Sequence, residues 1–198
     1  GTSPAQSIPL NWNIAPTNPI YIVRSPLKEQ SQSKKDLAIV SWGLIAPWLS
    51  DTAEAKTSQS RAINARSESV HEKPTFKDAF KQRRCLVPAQ GYYEWATALG
   101  RYKPKQAFYI SSLDGAQLSI AGIWSSWRAP NGEVIESASI ITQEAQGELA
   151  TIHSRMPVFM PHDRWDTWLD PENKEIENLR NLMVVQSPEA IVKAHPVS

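Results

Sequence analysis

The sequence predicts an α+β fold, a largely antiparallel β-sheet core with short flanking helices, on three observations. Turn signals recur at strand-like spacing through the centre of the chain, where Asp114-Gly115 and Asn131-Gly132 punctuate short β-type runs. Apolar residues at helical spacing are confined to a few short windows. Fifteen prolines and eight tryptophans in 198 residues favour short strands, corners and flat aromatic surfaces over a helical bundle.

Residues 1–198 read as one domain, long enough to bury a proper core and divided by no repeat, low-complexity tract or linker. A net charge of +1, with both signs well mixed, points to neither nucleic acid nor membrane, so any basic site must be local. No run of eighteen apolar residues indicates a membrane span, and no secretion signal is expected at the start. The single cysteine, Cys85, rules out an internal disulfide and fits a reducing cytosol.

Taken in order, residues 1–10 are a polar lead-in and Asn13 to Thr17 is turn-forming. Ile20 to Val23 and Leu37 to Trp42 are strands joined by a charged hairpin loop, Ser25 to Lys35. An apolar corner, Gly43 to Trp48, follows, and Trp48 has little local core to enter, so it is an exposed wedge or a lid. Asp51 to Arg61 reads as a polar connector. Ala62 to Ser69 fits neither an amphipathic helix nor a clean strand. Phe76 and Phe80, four apart, predict a helix over Thr75 to Arg83.

Arg84 to Trp95 is a strand, a Pro/Gly corner and a second strand. An Ala98-Leu99-Gly100 turn, Gln106 to Ile110, the Asp114-Gly115 hairpin and the strands Leu118 to Trp124 and Ser137 to Thr142 follow. Pro161 to Leu169 is a helix with Pro at its first position, and Glu175 to Met183 another. The tail holds a β-type pair.

Three stretches carry candidate chemistry. Glu94, between Tyr93 and Trp95, is partly shielded from water, which disfavours its charged form and makes it a candidate proton shuttle. Taken alone, the segment also fits a carboxylate on the wet face of a half-buried strand, paired with a nearby Lys or Arg. Asn64 and Arg66 point the same way in an extended chain, although a plain surface loop would look alike. His153 and Arg155 sit two apart at the mouth of an apolar strand, where imidazole either moves protons or only hydrogen-bonds.

Glycine-rich phosphate loops, zinc spacings and acidic calcium loops are missing from the sequence, and its four histidines lack metal-ligand spacing, so no metal or cofactor is expected. Cys85 with His153 and Asn64 would follow a Cys-His-Asn thiol-hydrolase template. Its Cys-Leu-Val-Pro setting instead suggests a small core residue with an unreactive thiol.

Seven blocks together resemble the SOS response-associated peptidase (SRAP) family, and they run in the family's order along nearly the whole chain. They are Asn13 to Thr17, Trp42 to Trp48, Ile63 to Glu68, Arg84 to Trp95, Ala121 to Trp124, Ile152 to Pro157 and His195 to Ser198. The resemblance implies a compact fold with a curved, largely antiparallel sheet around a positively lined groove for single-stranded DNA. It implies a monomer that senses abasic sites, in the cytoplasm or at a bacterial nucleoid. In the family an N-terminal cysteine condenses with the ring-opened sugar aldehyde, amine then thiol, to leave a thiazolidine crosslink.

By the same resemblance Glu94 and His153 move protons and Asn64 holds the N-terminal residue or the crosslink. Arg66 and Arg155 hold phosphates, and Trp48 offers bases a stacking surface. The family begins Met-Cys-Gly-Arg-Phe, whereas this sequence begins Gly1-Thr2-Ser3-Pro4 and stops at His195-Pro196-Val197-Ser198. The expectation is a chain shortened at both ends, with a non-covalent DNA-binding module as the alternative. Cys85 cannot replace the missing residue, because the reaction needs amine and thiol on one residue.

Overall fold

A computed structural model describes residues 7–27, 35–97, 102–184 and 187–197. Among the described residues ten strands lie in two sheets. The larger contains β1 (Pro19–Arg24), β2 (Asp36–Trp42), β3 (Asn64–Arg66), β4 (Arg84–Ala89), β7 (Leu118–Arg128), β8 (Val134–Glu144) and β9 (Arg155–Pro157). The smaller has β6 (Ala107–Ser112) at its centre, between β5 (Gly91–Trp95) and β10 (Val192–Val197).

The larger sheet closes on itself. Its order runs β2-β1-β4-β7-β8, and β8 pairs back onto β2 in parallel through Ser41↔Ser137 and Trp42↔Ala138. Closure removes two sheet edges and gives the strands an inside and an outside, so residues alternate between two cores. Ile20, Ile22, Val40, Cys85, Val87 and Ile120 fill the interior. Leu86, Ala121, Ile123 and Ile141 point outward, under α2 (Pro74–Gln82), α3 (Trp165–Leu169) and α4 (Ile176–Leu182). Arg84 fastens that helical layer. Nearly buried, it donates to the carbonyls of Phe80, Lys81, Trp168, Asp170 and Asn173, where α2 and α3 end.

The hairpins β1–β2 and β7–β8 and the helices at Phe76/Phe80 and Ile176–Leu182 follow the sequence pattern. The Ala98-Leu99-Gly100 turn lies outside the described residues, as does most of the Ser25 to Lys35 loop. Two expectations fail. The polar connector is a helix, α1 (Thr52–Arg61), capped by the Asp51 side chain, which accepts from the Ala53 and Glu54 N–H groups. Ala55 is its one buried residue, so it carries no apolar stripe to read. The turn at Asp114-Gly115 is real, with Gly115 at φ 79°, but it joins β6 of one sheet to β7 of the other and makes no hairpin. No helix among the described residues is long and apolar enough to cross a membrane.

Candidate functional site

The corner at Gln90-Gly91 turns the chain out of the closed sheet at β4 and into the smaller sheet at β5. Between the two sheets it leaves a cavity of about 700 Å³. Ile20, Trp42, Val87, Ile120 and Ile140 wall it from the closed sheet, Ile14 from the preceding segment, and β5 closes the other side. No charged side chain among the described residues lines it. The hollow is thus apolar and aromatic, and the positively lined groove implied by the resemblance is not this cavity.

On β5, Tyr92 and Glu94 share the face turned to the core, opposite Ile110 and Phe108, which are both buried. The Glu94 carboxylate accepts from the Trp95 N–H at 3.1 Å, and its other oxygen lies 4.0 Å from His153 Nδ1. His153 follows a 3-10 turn, Gly147–Thr151, and its own N–H donates to Leu149 O. That turn is tied to the chain beyond β5 by the Thr97 N–H, which donates to Ile152 O at 3.0 Å. Two residues 59 positions apart in sequence are thus held in register by backbone.

The Arg155 backbone holds the ring in place, its N–H 3.0 Å and its carbonyl 3.2 Å from His153 Nδ1. Both side chains are about 30% exposed, 27% for Glu94 and 31% for His153, so protons can pass between the pair and solvent. Burial pushes the Tyr92 phenol up, and the neighbouring Glu94 charge adds to the effect. Tyr92 is a neutral donor beside that carboxylate.

Asn64 and Arg66 lie on β3, paired in parallel with Ile140 and Thr142 of β8. Register partners share a sheet face, so Asn64 is on the side of Ile140, a cavity wall. Ile63 O, one residue earlier, accepts from Trp42 Nε1 at 3.0 Å and from the Ile140 N–H at 3.1 Å, which anchors β3 to the wall. Arg66 is exposed and has no carboxylate partner among the described residues.

Arg155 is engaged. Its Nη1 and Nη2 donate to the two oxygens of Glu68 at 2.7 and 2.9 Å, and Nη2 also donates to Thr142 O. The Arg155 hydrogen bond holds the Glu68 carboxyl below the usual range. Sequence reasoning quoted Glu68 inside a motif and gave it no role. The alternation Asn64-Arg66-Glu68 was the available signal.

Trp48 is exposed at its corner, but it does not line the cavity. Its neighbour Leu49 is fixed through its carbonyl to Trp127 Nε1. Trp127 pairs with Ile135, five residues along β8 from Ile140, or about 17 Å. Trp12 and Trp95 are the exposed tryptophans at the cavity. Cys85 is fully buried in the barrel, opposite Gly122, and burial pushes its thiol up, which removes the thiol-hydrolase reading.

Comparison with known proteins agrees with this architecture. The model of the SOS response associated peptidase (SRAP) family matches residues 2–198. Abasic site processing protein YoaM of Bacillus subtilis (strain 168) is 31% identical over 174 residues, 88% of this chain and 72% of YoaM. Abasic site processing protein HMCES of Mus musculus is 30% identical over 217 residues, 95% of this chain and 60% of HMCES. A crystal structure of a protein from Bordetella bronchiseptica, 26% identical, superposes with a TM-score of 0.81 over 97% of this chain and 90% of that one.

Proposed function

The chain belongs to the SOS response associated peptidase (SRAP) family, and from that membership we propose that it senses abasic sites in single-stranded DNA and, with an N-terminal cysteine, seals them in a thiazolidine crosslink. Relatives about 30% identical carry the name abasic site processing protein. Self-processing at the same N-terminus belongs to the proposal. The observation that carries it is the Glu94–His153 pair, 4.0 Å apart and about 30% exposed, with Glu94 on the strand whose neighbouring residues line the hollow.

The reaction needs protons moved in both directions. Opening the hemiacetal takes a proton from the anomeric hydroxyl and gives one to the ring oxygen, which frees the aldehyde. The cysteine amine adds to the carbonyl carbon, and the resulting hydroxyl leaves as water once protonated. Sulfur then adds to the imine carbon while its proton passes to nitrogen, so the net change is loss of one water. Glu94 gives and recovers the proton, and His153 carries it between Glu94 and solvent. Tyr92 keeps a hydrogen-bond donor beside the carboxylate. Asn64 holds the reacting N-terminal residue by hydrogen bonds. Arg66 holds one flanking phosphate, Arg155 exchanges Glu68 for another, and Trp48 offers a surface to displaced bases.

A second reading is non-covalent binding of single-stranded DNA by the same residues, without the crosslinking chemistry. A single assay separates the two. The full-length gene product is mixed with a single-stranded oligonucleotide bearing one abasic site, heated in SDS and electrophoresed. A retarded band is expected. Binding without a band would leave only the non-covalent module, and no binding would overturn both.

A further inference from the structure

The smaller sheet has one face in the core and one turned out. Its outward face carries an aromatic row that the chemistry above does not use. Tyr93, Tyr109 and His195 are register partners on β5, β6 and β10, so they stand side by side across the sheet. The Tyr93 and Tyr109 rings are 5.2 Å apart at 50°, and those of Tyr109 and His195 are 5.7 Å apart at 68°.

Tyr109 leans over Gly91. A Cβ built on that glycine would fall 2.5 Å from Tyr109 Cζ and Oη, so the ring lies against bare backbone and turns a face outward. Tyr93 and His195 flank it on the neighbouring strands, about 9.6 Å apart. The result is a row of three tilted rings with Tyr109 at its centre. Trp95, 49% exposed, extends the row along β5.

Charge selects the occupant. No acidic residue stands on this face of the three strands, although the chain holds 20 acidic against 21 basic residues. Lys193 stands exposed beside His195, and Lys103 and Lys105 are exposed where the chain enters β6. Aromatic rings interleaved with cations suit stacked bases with a phosphate backbone running past them. Tyr93 and Trp95 flank Glu94 on β5, so a strand whose lesion is held at Glu94 would continue onto this face.

We infer that the outward face of the smaller sheet is a stacking platform for unpaired nucleobases of the strand that carries the lesion, with Tyr109 as the central ring. This rests on the single-stranded DNA reading and assigns it a surface.

The test measures anisotropy of two labelled oligonucleotides with the full-length protein. One bears normal bases around a single abasic site, and the other carries base-free spacers throughout. Tyr109→Leu, which keeps apolar volume but removes the ring face, should weaken binding of the first about tenfold. Its salt slope should not change, because no phosphate contact is lost. Tyr109→Phe should bind as wild type, and neither variant should alter binding of the spacer strand.

His195→Ala, at an exposed position, gives a smaller loss of the same kind and does not depend on the Gly91 contact. Should His195→Ala and a folded Tyr109→Leu bind the normal strand as wild type while Arg66→Ala still weakens it, the platform is overturned and the DNA reading stands. Failure of the wild-type protein to bind either strand overturns the DNA reading itself.

Discussion

Arg155 has two claimants, Glu68 in the structure and a DNA phosphate in the proposed function, and their competition is measurable. The perturbation is Glu68→Gln. Two hydrogen bonds of 2.7 and 2.9 Å make the pair bidentate, but the Glu68 side chain is 52% exposed and that of Arg155 23%. Exposed pairs couple by roughly 0.2–1 kcal/mol, and good geometry with half-exposed partners puts this one near the top, at about 1 kcal/mol after solvent screening. A double-mutant cycle of Glu68→Gln with Arg155→Gln, read by urea unfolding, should return that coupling at neutral pH.

The acid limb has a definite sign. The folded pKa of Glu68 lies below its ordinary value of 4.5, so the pair stabilises the fold above that value. The contribution should shrink as pH falls below that value and vanish once it has passed the lowered folded pKa and the carboxylate is protonated. On DNA the same substitution frees Arg155. Affinity should rise, and the salt slope should steepen by about 0.7, the increment for one phosphate on a single strand. A Glu68→Gln protein that binds DNA more weakly with an unchanged slope would refute this account, and Arg155 would then serve to hold the β3 loop.

Two further outcomes follow from the geometry. Glu94→Gln should slow crosslink formation by about 100-fold or more with little change in DNA affinity, by single-turnover gel assay; parallel losses of both would make Glu94 structural. Arg84→Met should cost about 3 kcal/mol or more in urea unfolding, since five backbone carbonyls lose a charged donor. A loss under about 1 kcal/mol would show that water replaces the guanidinium.

What could be read from the sequence was what is local. Strand alternation, the Asn131-Gly132 hairpin and the Phe76/Phe80 spacing each encode their own structure. Pairing between distant segments is not encoded this way, so the parallel β2–β8 contact that closes the sheet had no signal. Helix α1 was hidden because polar contacts hold it, such as Gln59 Nε2 donating to Ser41 Oγ at 2.8 Å. At the site, Glu94 and His153 were singled out by residue type and motif. Their apposition depends on a 3-10 turn hydrogen-bonded to the chain beyond β5, which no periodicity reports. Trp12 was passed over because it lies in a segment without pattern.

The hollow and the dyad share one cause. A closed sheet of five strands is narrow enough for its own side chains to fill, and around Ile22, Cys85 and Trp124 they do. It stays open at the end where β4 cannot continue, because the Gln90-Gly91 corner sends β5 to pair with β6. Gly91 is required there twice over: any Cβ would strike both the Tyr109 ring and Ile110 O. The strand that leaves the barrel is the one that carries Tyr92 and Glu94, so the acid sits on the core-facing side of β5, between two residues that line the hollow, without being sunk in the core. A carboxylate deeper in the barrel would be costly to ionise. At this seam Glu94 keeps His153 within 4.0 Å and partial access to water, the two conditions that the proposed acid–base role requires.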